Sequence, residues 1–255
     1  METNFEERWV NMGESIAFLS GKGGTGKTSV CAGIATALAK EGKTVLCIDC
    51  DVGLRNLDIS LGLSDEPVLN FLDIAHGHYL LEQLQSHPQF PTLWFLTAPV
   101  NIQADEIDEE AFAVMIQKAK ESFDYVLMDA PAGVDAGFRL TSMNADRILV
   151  VTNSDPASIR DAGRIGQLLE LMGRANVRLI VNRINTKLVD ALSRNVDDIM
   201  DEAGLPLIGV VPEDSAVLIA ATNRMPLLMY TRRGAAAAFR RIIRRIQGIH
   251  TPINL

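Results

Sequence analysis

The sequence predicts an α/β fold of three layers, α/β/α, built on a mostly parallel central sheet. Three observations predict it. Short apolar runs alternate with amphipathic stretches along most of the chain, the pattern of parallel strands covered on both faces. A glycine-rich stretch at residues 21–26 stands between one such run and an alanine-rich helix. The 255 residues, 47% of them hydrophobic, are enough for one sizeable core.

In chain order, residues 14–20 read as a buried strand and 28–40 as a helix. Strands follow at 44–49, 93–97, 125–129, 147–152, 178–181 and 207–211. The best-defined helices lie at 108–122, 156–172, 188–203 and 234–247. Gly204 closes the third of these and Pro206 follows it, because glycine takes left-handed φ readily and proline cannot continue a helix. One domain, 14–248, is expected, with an extension at 1–13 and a short tail at 249–255. No repeat, low-complexity tract or linker interrupts it.

A net charge of −8 argues against nucleic-acid binding as the main role of the surface, and no direct contact with nucleic acid is expected despite a basic patch near the C-terminus. No run approaches the roughly eighteen apolar residues that span a bilayer, and the acidic start lacks the basic-then-apolar order of a signal peptide. A cytoplasmic protein is expected. Cys31, Cys47 and Cys50 fall in core elements and suit reduced thiols. Cys47 and Cys50 spell C-x-x-C, but residues three apart on a strand point to opposite faces, which favours structural thiols over a metal or redox site.

Gly21, Lys22, Gly23, Gly24, Thr25, Gly26, Lys27 and Thr28 fit G-x-x-x-x-G-K-[ST], the phosphate-binding loop, in the required strand, loop, helix context. The expected architecture is therefore that of a P-loop NTPase. Without Cβ atoms the loop can turn successive N–H groups onto one anion, and the positive end of the helix adds to them. Lys27 is expected on the β- and γ-phosphates, the Thr28 hydroxyl on Mg²⁺, and Ser29 near the α-phosphate.

The second strand ends in Asp49 and Asp51, beside the loop, where a hydrated Mg²⁺ and an attacking water need oxygen ligands. Asp51 is assigned to orienting the water and Asp49 to the metal through its water shell. The competing reading is that one of them caps the following turn. A further strand ends in Asp129, four apolar residues and then an acid, which has the Walker B shape and places a Mg²⁺ ligand. Gly133 follows, and its N–H is expected to sense the γ-phosphate and to release the loop on hydrolysis.

Together these residues resemble the deviant Walker A, or ParA–MinD, family of ATPases, and within it the septum-site-determining MinD branch. The resemblance covers nearly the whole chain. It implies ATP as the nucleotide, and a Lys22 that reaches across an ATP-dependent homodimer to the partner's phosphates. A cation supplied in trans would couple catalysis to assembly. It also implies an adenine-facing turn at Asn182 and Arg183, and a loop at Pro212, Glu213 and Asp214 that closes over the base. The stretch 51–58 is similar to MinD, with Arg55 where flagellar-number relatives usually carry alanine. By the same resemblance Asp161 is a candidate contact for regulatory partners, against the alternative of a solvated helix face. The partners implied are a division inhibitor and an ATPase-activating protein.

Phe239, Ile242, Ile243 and Ile246 share one helical face, with arginines elsewhere. An interfacial membrane anchor and core docking both fit this pattern, and the alignment favours docking. The arginines would still favour anionic lipid by about 1 kcal/mol each, giving weak or partner-mediated association at the inner face of the membrane. Two other readings remain: a flagellar-number or other positioning ATPase, and an iron–sulfur cluster carrier. No cysteine follows Cys50, which weighs against the last.

Overall fold

The computed structural model describes residues 12–52, 55–64, 66, 68–99, 102, 106–185 and 196–253. Most of the extension at 1–13, Gly53 and Leu54 of the MinD-like stretch, the first half of the helix expected at 188–203, and the last two tail residues lie outside them.

Strands β1 (Glu14–Leu19), β2 (Val45–Asp49), β3 (Ser86–His87), β4 (Phe90–Leu96), β5 (Tyr125–Asp129), β6 (Arg147–Thr152), β7 (Val177–Ile184) and β8 (Leu207–Pro212) form one sheet. Their order is β3-β4-β2-β5-β1-β6-β7-β8, parallel throughout except for β3 against β4. β1 therefore lies deep in the sheet between β5 and β6, with five of its six residues buried. Helices α1 (Lys27–Lys40), α2 (Leu57–Leu61), α3 (Phe71–Ala75), α4 (Glu109–Ser122), α5 (Ala136–Met143) and α6 (Pro156–Leu171) are followed by α7 (Val196–Ala203), α8 (Ser215–Thr222), α9 (Leu227–Tyr230) and α10 (Ala235–Ile246).

The period of two along β1 divides the core. Ile16 and Phe18 join α1 and α10 on one face, whereas Ala17 and Leu19 join α4, α5 and α6 on the other. The same alternation sends Cys47 to the first face and Cys50 to the second. Cys47 Sγ instead lies 3.7 Å from Cys31 Sγ, and all three thiols are free and buried.

Phe239, Ile242, Ile243 and Ile246 of α10 are all buried, so core docking is what the fold selects for this amphipathic helix. Arg245 secures its end by donating to the carbonyls of Ile208 at 2.9 Å and Thr251 at 2.8 Å. The helix lies so close to α1 that a Cβ on Gly33 would sit 2.2 Å from the Phe239 ring. Gly33→Ala should gain about 1 kcal/mol of helix propensity but lose more by overpacking. A net destabilisation of roughly 1–2 kcal/mol within the usual overpacking range, read as a lower urea midpoint, is expected. An unchanged midpoint would mean that the two helices can part freely.

Several elements differ from expectation. β4 begins at Phe90 rather than 93, and β3, two residues long and antiparallel, had no periodic signal. β7 continues to Ile184, so Asn182 and Arg183 belong to an irregular strand end rather than a free turn; Arg183 takes φ 56° where the register with β8 shifts. The short helices α2, α3, α5, α8 and α9 were not anticipated. α8, Ser-Ala-Val-Leu-Ile-Ala-Ala-Thr, is apolar nearly all round and offers no helical stripe to read. Among the described residues no helix is long and apolar enough to cross a membrane.

Candidate nucleotide-binding site

The parallel register aligns the ends of three neighbouring strands: Phe18 of β1 lies beside Asp129 of β5, and Asp129 beside Asp49 of β2. The glycine loop leaves β1 at this edge and runs into α1. Loop, carboxylates and helix N-terminus thus converge at the carboxyl ends of the strands, where ligands bind in open sheets of this kind.

The loop is braced from behind. A Cβ on Gly26 would meet Asn182 Nδ2 at 2.3 Å, and one on Gly21 would meet Asp161 Cβ at 2.5 Å, so both neighbours can close in only on glycine. Asn182 Nδ2 donates to the Thr25 carbonyl at 2.8 Å. In front, Gly23 and Gly24 face open space. The Thr25 hydroxyl is buried without a hydrogen-bond partner, and α1, capped at Gly26, has neither a side-chain cap nor an acid in its first turn. Buried donors of this kind require an acceptor, and a polyphosphate supplies one; the residues present fit a nucleotide.

Lys27 Nζ lies 2.6 Å from Asp129 Oδ1, and both side chains are nearly inaccessible. Burial alone would lower the Lys27 pKa, but the Asp129 charge and hydrogen bond outweigh it and leave it raised, with smaller help from Cys31 and Asp51. The amine is therefore protonated across the physiological range. Thr28 and Ser29, half-buried in the first turn of α1, follow directly.

Asp49 is fully buried and accepts the N–H groups of Asp51 at 3.0 Å, Asn56 at 3.1 Å and Leu57 at 3.1 Å. Burial, then the Asp129 charge, push its pKa up to about 6 against the pull of those three N–H groups. Asp49 holds the turn into α2, so any metal contact must share a carboxylate already committed to the backbone. Asp51 is half-buried, and among the described residues no hydrogen bond reaches its carboxylate. Its pKa is raised by burial, opposed by the Lys27 charge and reinforced by that of Asp129, so both lie within electrostatic reach of it. Gly133, at φ 96°, donates its N–H to the Ser20 carbonyl at 3.0 Å.

Lys22 Nζ meets Asp155 Oδ2 at 2.5 Å, with both side chains substantially exposed. Asp155 also caps α6 by accepting the Ser158 N–H at 3.1 Å, and the hydrogen bond from Lys22 holds its carboxyl below the usual range. Asp161, the expected partner contact, backs the loop at Gly21 and pairs with Arg164 at 3.6 Å.

Beside α1 a cavity of about 520 Å³ is lined by Gly26, Ser29, Asn182, Pro212, Glu213 and Leu218. Arg183 spans its edge, pairing with Glu213 at 3.3 Å and approaching the Gly24 carbonyl at 3.5 Å. Asp214 lines the cavity too, but its carboxylate accepts the Ala216 N–H at 2.9 Å and the Ala235 N–H at 3.0 Å. Its side chain ties α8 to α10. Sequence reasoning missed the apolar wall of α8, Val217, Leu218 and Ala221, and the pairing of Lys22 with Asp155. The uniform apolarity of α8 directly after Pro212, Glu213 and Asp214 was the available signal for the first. A larger groove of about 710 Å³ lies between the ends of α6 and α7, remote from these groups, so size does not identify the site.

Among the described residues no three His, Cys, Asp or Glu side chains are grouped to hold a metal by themselves. Mg²⁺ is commonly held by one or two protein oxygens together with substrate phosphates, which is the kind of donor set present at Thr28 and Asp129.

Fold and site together define a P-loop nucleotide-binding protein of the α/β class. Residues 16–227 match the family model described as the CobQ/CobB/MinD/ParA nucleotide binding domain. The septum site-determining protein MinD of Synechocystis sp. is 36% identical over 244 residues, 94% of this chain and 92% of that protein. The chain belongs to this family and, within it, to the MinD branch. Among solved structures, the MinC:MinD cell division protein complex of Aquifex aeolicus matches with a TM-score of 0.87 and 38% identity, covering 95% of this chain and 98% of that one. The septum site-determining MinD of Pyrococcus horikoshii, complexed with Mg-ADP, matches with a TM-score of 0.80 and 28% identity, covering 92% and 96%.

Proposed function

We propose that this protein is a MinD-like ATPase switch in division-site placement, which binds Mg-ATP, closes with a second copy around it, hydrolyses it to ADP and separates. The observation that carries the reading is a complete phosphate cradle with a second lysine, Lys22, at its exposed rim, in a chain that aligns over nearly its whole length with septum site-determining relatives. The Mg-ADP of the Pyrococcus relative supports the nucleotide and the ion. The MinC:MinD complex supports recruitment of a division inhibitor. An ATPase-activating partner, and peripheral contact of a cytoplasmic protein with anionic lipid through exposed arginines or a partner, complete the reading.

In this mechanism the loop N–H groups and the α1 N-terminus receive the phosphates, and Lys27 turns its amine from Asp129 to the β- and γ-oxygens. Bound Mg²⁺ supplies charge neutralisation at those oxygens, with Thr28 and Asp129 as the residues that would hold it and Asp49 behind them. Asp51 orients the attacking water as a hydrogen-bond acceptor. The Gly133 N–H exchanges the Ser20 carbonyl for a phosphate oxygen. Lys22 exchanges Asp155 for the phosphates of the other copy, where it stabilises developing charge. Asn182 and the backbone of Pro212, Glu213 and Asp214 meet the base.

Lys22→Ala should therefore still bind ATP through Lys27 but remain monomeric, whereas the parent protein dimerises on adding Mg-ATP. Light scattering on size-exclusion chromatography reads this directly. An ATP-dependent dimer in the variant would overturn the reading. The iron–sulfur alternative gains no support, because the three cysteines are buried and Cys47 and Cys50 face opposite sides of the sheet.

A further inference from the structure

His87 is a buried titratable side chain that the mechanism above leaves unused. It stands in β3, at the edge of the sheet, with its ring edge-on to that of Phe90 at 5.3 Å. Both ring nitrogens are engaged. Nδ1 accepts the Gln89 N–H at 3.0 Å, so Nε2 carries the proton and donates it to the Leu61 carbonyl at 2.7 Å. Burial lowers the pKa of the ring, against the Leu61 bond and the Glu66 charge, and keeps it in this neutral form.

Leu61 is the last residue of α2, and its carbonyl is one of those that a helix end leaves without a partner. At the other end Asp49 accepts the Asn56 and Leu57 N–H groups, each at 3.1 Å, while the Asn56 side chain supplies no cap. Five residues, about 7.5 Å of helix, are too few to sustain themselves. α2 is therefore held at each end by a side chain from a strand, Asp49 at the end of β2 and His87 in β3. Asp49 also fixes the Asp51 N–H at 3.0 Å. Two of the three N–H groups that orient the Asp49 carboxylate thus belong to the start of α2, and the third is that of Asp51 itself.

We propose that His87 is a positioning residue for hydrolysis: by holding the end of α2 at Leu61 it keeps the Asp49 turn, and with it Asp51, set for the attacking water. This role rests on the assignment of Asp51 to that water. A helix released at Leu61 loosens its grip on Asp49, and a misplacement of about 1 Å near the reacting atoms can cost on the order of 10²-fold in rate. The phosphate cradle, built on the glycine loop and α1, does not include α2. Affinity for ATP should therefore hold while turnover falls.

Two amide side chains separate the two bonds of the ring. His87→Asn keeps an acceptor for the Gln89 N–H but is too short to reach Leu61, whereas His87→Gln extends a donor to Leu61. His87→Asn is expected to lower kcat for Mg-ATP by roughly ten- to a hundred-fold, with KM within about twofold of the parent and ATP-dependent dimers still formed. Amide exchange at Asn56 and Leu57 should quicken with it. His87→Gln should restore both kcat and exchange. His87→Leu, which packs without any donor, should match His87→Asn and repeats the test should that variant not fold. Parental kcat in His87→Asn or His87→Leu, a KM that rises as kcat falls, or no recovery in His87→Gln would overturn the proposal. Asp51→Ala run alongside tells the two levels apart. Parental turnover there would remove the role of Asp51 and that of His87 with it, whereas its loss beside an unaffected His87→Leu would remove the role of His87 alone.

Discussion

Lys27→Ala should abolish ATP binding and lower stability by about 3–5 kcal/mol. Both effects come from one ion pair. The amine is the cation assigned to the phosphates, and it is also the partner of Asp129, whose side chain is 1% exposed. Removing one member of a buried pair leaves an uncompensated charge in a low-dielectric setting, which costs more than the pair contributes net. Titration calorimetry with Mg-ATP and urea unfolding measure the two effects separately. The double variant Lys27→Met, Asp129→Asn, which removes both charges, should recover most of the stability and none of the binding. If Lys27→Ala unfolds at the parental urea midpoint, the 2.6 Å contact is not a buried ion pair in solution.

Asp51→Ala should cut turnover by about 10²–10⁴-fold, the range typical of a lost acid–base or water-positioning group, while ATP-dependent dimers persist. The half-buried Asp51 carboxylate is within electrostatic reach of Lys27 and Asp129, and among the described residues no hydrogen bond commits it to the backbone. Its neighbour Asp49 is spent on three backbone N–H groups. Single-turnover hydrolysis together with light scattering separates the two roles: dimers should accumulate because ATP outlasts assembly. Hydrolysis at the parental rate would remove Asp51 from the mechanism.

The layers, the seven parallel strands and the helices at 109–122, 156–171 and 235–246 were legible because the strands are short continuous apolar runs, as in 125–129, and the helices are long enough to show their period, as in 156–171, whereas of the helix expected at 188–203 only Val196–Ala203 lies among the described residues. The glycine loop was legible for a different reason: its residue types are dictated by backbone approach at Gly21 and Gly26, a demand that few other sequences meet. What sequence could not supply were partners. That Asp49 holds a turn while the Asp51 carboxylate is left uncommitted depends on where α2 starts, and α2 is five residues long. That the Asp214 side chain fastens α8 to α10, rather than facing a base, depends on Gly234, twenty residues further on. The Lys22 to Asp155 contact joins residues 133 apart, beyond any local pattern.

The central position of β1 also bears on biosynthesis. Both strands that flank it, β5 and β6, lie more than a hundred residues downstream. At translation rates of about 5–20 residues per second, a nascent chain carries its glycine loop without lateral support for on the order of ten seconds. During that interval the unpaired apolar segment is a target for chaperones, and nucleotide capture must await the ribosome's delivery of the second half.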